Sequence, residues 1–331
     1  MDETDAWQEL LRRMMTVNAS DLHAAPHQQI QLRRDGMLMA EDLIPTAALM
    51  EACACQMLSD AQRALLSVQD VDAAWNWEGR RFRGNFYRTQ EGMALSLRLL
   101  PERIMTPDEV GMPSAVRTAL EMRDGLVLLC GATGAGKTTT LAALIDAVNH
   151  TRSLHIITLE DPVEYVFAAD RAFFSQREEG RDFASFPDAV RSALREDPDL
   201  LLVGEIRDRA TMEAALMAAT TGVLVLGTLH TRGAAETPLR VEGMFPTDAR
   251  DTVRAQFADV VRGIFAQRLL PRRGGGRIAA FETLVGTSAV RNVLRQGRYD
   301  QLETLMMSGA AQGMQTAEMA EKELRARGMI A

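Results

Sequence analysis

The rhythm of apolar and polar positions changes once along this chain, near residue 100. Before that point the pattern is mixed. A helical stretch runs through Met15, and "IQLRRDGMLMAE" (Ile30–Glu41) reads as a hairpin turning at Asp35-Gly36. A second helix is predicted from about Thr46 to Ser67. Then "WNWEGRRFRGNFYRTQEGMALSLRLL" mixes aromatic and aliphatic residues with polar ones, and breaks at Glu78-Gly79 and Glu91-Gly92 as a strand meander would. The following "LLPERIMTPDEVGMPS" carries three prolines and a glycine in 16 residues and reads as a linker. The expected organisation is an α+β domain over 1–100, a linker over 101–112 and a second domain over 113–331.

In the second domain, short apolar runs alternate with amphipathic helices, the pattern of an α/β fold with a parallel sheet. "GLVLLC" is followed by a helix from Lys137, then "LHIITLE", a loop and helix, "DLLLVGE", another helix, and "VLVLGTLH". From about Pro246 the periodicity is helical, through "DARDTVRAQFADVVRGIFAQRLL" and again in "TAEMAEKELRARG", with "PRRGGGR" as an intervening loop.

A length of 331 residues suits two domains, and 47% apolar with 25% charged residues is the composition of a soluble globular protein. No apolar run reaches the length of a membrane span, and the acidic start "MDETDAWQELLRRMM" does not resemble a signal peptide, so a cytoplasmic location is expected. Three cysteines without a CxxC pair argue against zinc and against a disulfide framework. A net charge of −8 argues against a general nucleic-acid binder.

The stretch "GATGAGKTTT" fits GxxxxGK[ST] in full, with Gly131, Gly136, Lys137 and Thr138 at the defined positions. A strand precedes it and a helix follows. Glycines there let backbone N–H groups curl around phosphate oxygens at a helix N-terminus, where the helix dipole favours negative charge. Nucleotide-binding candidates are therefore Gly131, Thr133, Gly134, Ala135, Gly136, Lys137, Thr138 and Thr139. Lys137 would reach the β- and γ-phosphates of ATP and the Thr138 hydroxyl would ligate Mg²⁺. The neighbouring strands end in Glu160-Asp161, Glu205 and His230, which a parallel sheet would gather at its carboxyl edge, where ligands of open α/β sheets bind. "DLLLVGEIRD" reads as a Walker B strand with Gly204 in the usual aspartate position, and Glu205 is the candidate for polarising the attacking water. His230 is either a locally satisfied histidine or a group that senses the γ-phosphate.

These residues resemble the secretion ATPases, and within them the type IV pilus retraction (twitching motility, PilT-type) ATPases. The resemblance spans nearly the whole chain: "ASDLH" at Ala19–His23, the Walker A run, "TLEDPVEY" (Asp box), "ALREDPDLLLVGEIRD" (Walker B), "GTLHT" (end of the His box), "AVRNVLR" at Ala289–Arg295 and "GMQT" at Gly313–Thr316. It implies a homohexamer in which a PAS-like N-terminal domain swings against a RecA-like P-loop core, with ATP and Mg²⁺ bound between them. By the same resemblance Arg83 and Arg98 would reach the phosphates, and Glu160, Asp161 and Glu164 would hold Mg²⁺ directly or through water. It further implies a motor peripheral to the inner membrane on its cytoplasmic face, acting on a pilus platform protein, alongside a paralogous retraction ATPase.

Where the family usually has Glu-Thr-Gly-His, this chain has Thr220-Thr221-Gly222-Val223. That departure motivates an accessory, nucleotide-binding paralogue as the alternative to a self-sufficient motor, and predicts an altered coupling of phosphate release to domain motion. A pilus-assembly or type II secretion ATPase is a further alternative, but those relatives usually carry a long N-terminal extension and a four-cysteine insertion.

Overall fold

Along the central strands of the second half, successive side chains belong to two different cores. Leu126, Leu128 and Cys130 pack on one side, Val127 and Leu129 on the other; Leu201 and Val203 separate from Leu200 and Leu202 in the same way. Alternation with period two, apolar on both faces, is what a strand covered by helices on both sides requires. The computed structural model describes residues 3–34 and 36–331, so the turn residue Asp35 lies outside the described residues. The chain forms two units, 1–103 and 104–331.

The first unit contains helices α1 (Glu3–Thr16), α2 (Ala47–Met57) and α3 (Asp60–Leu65). Its strands are β1 (Asp21–Ala24), β2 (Gln31–Arg34), β3 (Met37–Ala40), β4 (Val71–Trp77), β5 (Arg80–Thr89) and β6 (Gly92–Leu99). They form one antiparallel sheet in the order β3-β2-β1-β6-β5-β4. Trp7, Leu11 and Met14 of α1 and Met50 of α2 bury against Leu22, Leu32, Phe82, Phe86, Leu95 and Leu97. The single helix predicted over 46–67 is two: Ser59 caps α3, its hydroxyl accepting from Gln62 N while the Gln62 side chain accepts from Ser59 N, and this reciprocal pairing starts a new helix inside the apolar run. "ASDLH" supplies β1, whose strand character its four residues were too few to reveal.

In the second unit, α4 (Pro107–Val110) and α5 (Ser114–Ala119) precede β7 (Gly125–Cys130), α6 (Lys137–Thr151), β8 (His155–Glu160) and β9 (Phe173–Glu178). There follow α7 (Phe186–Ala193), β10 (Leu200–Val203), α8 (Arg209–Thr220), β11 (Leu224–Leu229), α9 (Thr237–Gly243) and α10 (Arg250–Val260). The unit ends with β12 (Val261–Pro271), β13 (Arg277–Val285), α11 (Ser288–Arg295), α12 (Leu302–Ser308) and α13 (Ala317–Ala326). The sheet order is β13-β12-β7-β11-β10-β8-β9, parallel throughout except for β13. This is the α/β core expected of a RecA-like fold.

Two further expectations need correction. The helical reading of 248–270 holds only to Val260; "VRGIFAQRLLP" is β12, paired with β7 on one side and β13 on the other. An apolar run is ambiguous between buried helix and buried strand, and here the open side of β7 decides it. Of the expected linker 101–112, residues 104–112 lie within the second unit: Val110 and Met112 are buried in its core, and Thr106 and Glu109 form a capping box around α4.

Candidate functional site: the carboxyl edge of the parallel sheet

β7 is buried along its whole length and delivers the chain to Gly131. At Gly131 φ is +148°, and a Cβ would stand 2.6 Å from the Gln267 carbonyl oxygen of β12, so only glycine lets the chain turn there against a neighbouring backbone. Gly136, at φ +87°, is the residue from which α6 starts. Ala132, Thr133 and Gly134 are exposed between them, while Ala135 is buried. Two hydroxyls of α6 brace the loop from below: Thr140 Oγ1 donates to Gln267 Oε1 at 2.8 Å, and Thr139 Oγ1 lies 3.0 Å from the Tyr165 hydroxyl.

Lys137 is buried, and its Nζ donates to the carbonyls of Gly131 (2.7 Å) and Ala132 (3.2 Å). Desolvation pulls its pKa below the ordinary lysine value, opposed chiefly by the charge of Glu205. Thr138 is exposed in the first turn of α6.

Next to β7 in the sheet comes β11, which ends before His230, then β10, which ends before Gly204-Glu205, then β8, which ends in Glu160. Strands lie about 4.8 Å apart, so Glu205 is two strands, roughly 10 Å, from the loop strand. Its carboxylate is held by two side chains: Arg207 Nη2 at 2.8 Å and His230 Nε2 at 2.9 Å. Burial alone would raise the Glu205 pKa, but the hydrogen bond and charge of Arg207, with the charges of His230 and Lys137, hold it below the ordinary carboxylate value. The group is therefore ionised at neutral pH. Arg207 also reaches Asp161 Oδ2 at 3.4 Å, which brings the end of β8 into the same cluster.

Glu160 is in a different state. It is 7% exposed and accepts from Thr158 Oγ1 (2.7 Å) and Gln176 Nε2 (3.3 Å). Desolvation pushes its pKa up to about 7; the two hydrogen bonds act the other way, and the charges of Glu164 and Glu178 add to the rise. Glu164 is half-buried. The structure thus brings together the glycine-rich loop, Lys137, Glu205, His230 and Asp161, with Glu160 beneath them as a near-neutral carboxyl.

Arg83 and Arg98 lie in the first unit, directly opposite one another on β5 and β6. Arg98 Nε pairs with Asp21 Oδ1 at 2.8 Å, and Arg83 Nη2 stands 3.9 Å from Asp72 Oδ2.

Thr220 ends α8 and Val223 precedes β11, so both departures from the family pattern sit at the amino edge of the sheet. A six-residue strand, roughly 20 Å, separates them from His230. Val223 is buried in the core and its carbonyl accepts from Gly125 N at 3.1 Å.

Sequence reasoning missed Arg207, Gln176, Tyr165 and Gln267. Arg207 had a signal, since it follows Glu205 by two residues in "GEIRD". Gln267 had none: it lies 127 residues from Thr140, and only the pairing of β12 with β7 brings it there.

Oxygen donors of this kind suit Mg²⁺, which retains waters and phosphate oxygens and needs only one or two protein ligands. Among the described residues there is no group of three or more His, Cys, Asp or Glu side chains that would form an all-protein cage. Among them, too, no helix is long and apolar enough to cross a membrane.

Residues 4–328 match the model of the family described as Type II/IV secretion system protein. The chain is 39% identical over 325 residues to the type IV pilus retractation ATPase PilT of Pseudomonas aeruginosa, covering 97% of this chain and 94% of that one. It is 32% identical over 328 residues to the type IV pilus ATPase PilU of the same organism, covering 98% and 86%. The structure of the pilus retraction motor PilT with bound ADP superposes with a TM-score of 0.89 at 38% identity, over 98% of this chain and 94% of that one. With a family model spanning nearly its whole length and the phosphate loop, Glu205 and His230 set along one sheet edge, the chain belongs to the Type II/IV secretion system protein family.

Proposed function

We propose that this protein is an ATP-hydrolysing motor that powers retraction of a type IV pilus. The observation that carries the reading is the ionised Glu205 carboxylate, two strands from the phosphate loop and fastened between Arg207 and His230. The likeness to retraction ATPases over nearly the full length supports it.

In this reading the backbone N–H groups from Gly134 to Thr138 and the Lys137 ammonium hold the ATP phosphates, with Thr133 and Thr139 flanking them. Glu205 accepts the proton of the attacking water, for which an ionised carboxylate is required. Thr138, Asp161, Glu160 and Glu164 would hold Mg²⁺, directly or through water, and the ion would supply neutralisation of charge on the phosphates. His230 orients Glu205 and faces the γ-phosphate. Arg83 and Arg98 keep the role that the resemblance gives them, carriers of positive charge for the phosphates. The working form is a homohexamer at the cytoplasmic face of the inner membrane, acting on a pilus platform protein with a paralogous retraction ATPase beside it.

The test is steady-state ATP turnover of the purified protein beside Glu205→Gln and Lys137→Ala, paired with deletion in cells. Mg²⁺-dependent turnover lost in both variants, and surface pili retained without motility, are the expected results. ATP bound without turnover would instead favour the accessory paralogue, and loss of all pili would favour an assembly motor.

A further inference from the structure

His230 sits at the end of β11, and the six residues after it, Thr231–Glu236, cross to α9. A connection of that length has freedom to move unless it is tied down. It is tied by one fully buried side chain and packs against a second that is half-buried.

The first is Thr237, which opens α9 and is 0% exposed. Its hydroxyl donates to the Gly233 carbonyl at 2.8 Å and lies 2.7 Å from Thr231 Oγ1. It also stands 3.3 Å from Cys130 Sγ. Cys130 is the last residue of β7, directly before Gly131. One hydroxyl therefore joins the residue after His230, the middle of the connection and the root of the phosphate loop. The second is Glu282 on β13, a half-buried carboxyl whose pKa burial raises, while the nearby backbone N–H groups of Ala234 and Ala235 act the other way. Gly233 packs against it closely: a Cβ there would stand 3.4 Å from Glu282 Oε2.

We propose that Thr237 is a positioning residue that clamps the 231–236 connection to the end of β7, with Glu282 of β13 packed beside it, and so holds His230 against Glu205. The clamp rests on the hydrolysis reading for its consequence but not for its geometry. The Thr237 hydroxyl is not needed to hold the phosphates, so its loss falls on the chemical step.

The experiment compares Thr237→Val, which keeps the shape and removes the hydroxyl, with Thr237→Ser, which keeps the hydroxyl. Thr231→Val and Glu282→Gln are run beside them, the first in case Thr237→Val fails to fold. Each is measured for kcat, KM for MgATP, thermal midpoint and amide hydrogen exchange over 230–236. The two valine variants are expected to lower kcat by roughly tenfold to a hundredfold, as small misplacements of a catalytic group do. KM stays within about twofold, the sign of an interaction felt in the transition state. Exchange over the connection quickens, while Thr237→Ser and Glu282→Gln remain close to wild type. Wild-type kcat and exchange in both valine variants would overturn the proposal, as would a Thr237→Ser variant as damaged as Thr237→Val, the mark of a packing role. Should the wild type itself show no turnover, the hydrolysis reading fails separately and the exchange data decide: unchanged exchange in the valine variants overturns the clamp, and quickened exchange supports it.

Discussion

His230 Nε2 stands 2.9 Å from Glu205 Oε1, so the side chain that follows β11 is fastened to the one that follows its neighbour β10. In the proposed reaction this bond orients the base. His230→Ala is expected to lower kcat by about 10²-fold or more while leaving ATP binding close to wild type. Stopped-flow nucleotide binding and steady-state turnover measure the two separately; equal loss of both would assign His230 to substrate binding.

Arg207 sets the protonation of the same carboxylate. Burial favours the neutral acid, and Arg207 is first among the groups that overcome it and lower the Glu205 pKa. A base must be ionised to work, so a lowered pKa extends activity to lower pH. In Arg207→Ala that support is removed, and the acid limb of kcat/KM against pH moves to higher pH. An acid limb that stays in place would show that it reports another group.

Glu160 predicts the opposite dependence for stability. Its folded pKa is raised to about 7, so between about pH 4.5 and pH 7 the unfolded chain releases the proton while the folded one keeps it. Wild-type stability therefore falls as pH rises through that window. Glu160→Gln has no proton to lose, and its thermal midpoint relative to wild type should rise from pH 4.5 to pH 7 and then level off, measured without nucleotide and in chelator. A difference that is flat with pH would mean that Glu160 is ionised in the folded protein.

Gly204 occupies the usual Walker B aspartate position, and the reason is spatial. A Cβ there would lie 2.9 Å from the Leu159 carbonyl oxygen and 3.3 Å from Glu160 Cα, both backbone atoms of β8. Restoring the usual residue, Gly204→Asp, should therefore destabilise the protein by about 1–3 kcal/mol, the ordinary cost of overpacking. Urea unfolding checks this against Gly274→Ala, a turn position with φ +87° but no atom within 4 Å of an added Cβ, where strain acts without a clash.

At the C-terminal motif, α11 buries Val290, Val293 and Leu294, leaving Arg291 half-buried and Asn292 exposed. Replacing Asn292 by alanine should change stability by less than about 0.5 kcal/mol. With turnover preserved, Arg291→Ala and Asn292→Ala are expected to abolish pilus retraction in cells; parallel loss of turnover would make α11 a structural helix.

The phosphate loop, the strand ends that carry Glu205, His230 and Glu160-Asp161, and the α/β order of elements could be read from the residues alone, because each is a local pattern. Glycine spacing, a strand of apolar residues and a helix start are all written within a few residues of one another. The folded arrangement set what depends on residues distant in the chain. It made β12 a strand by offering it the open side of β7, and so carried Gln267 to Thr140 and its own backbone against Gly131. It set Thr220 and Val223 at the sheet edge opposite the phosphate loop, although in sequence they lead straight to His230. It also gave two glutamates at neighbouring strand ends opposite characters. Glu205 meets Arg207 and His230 and is ionised, while Glu160 is closed off from water among Thr158, Gln176 and other acids and keeps its proton to near neutrality. Charge state depends on solvent exclusion and on partners in space, and neither is a property of the residue's place in the chain.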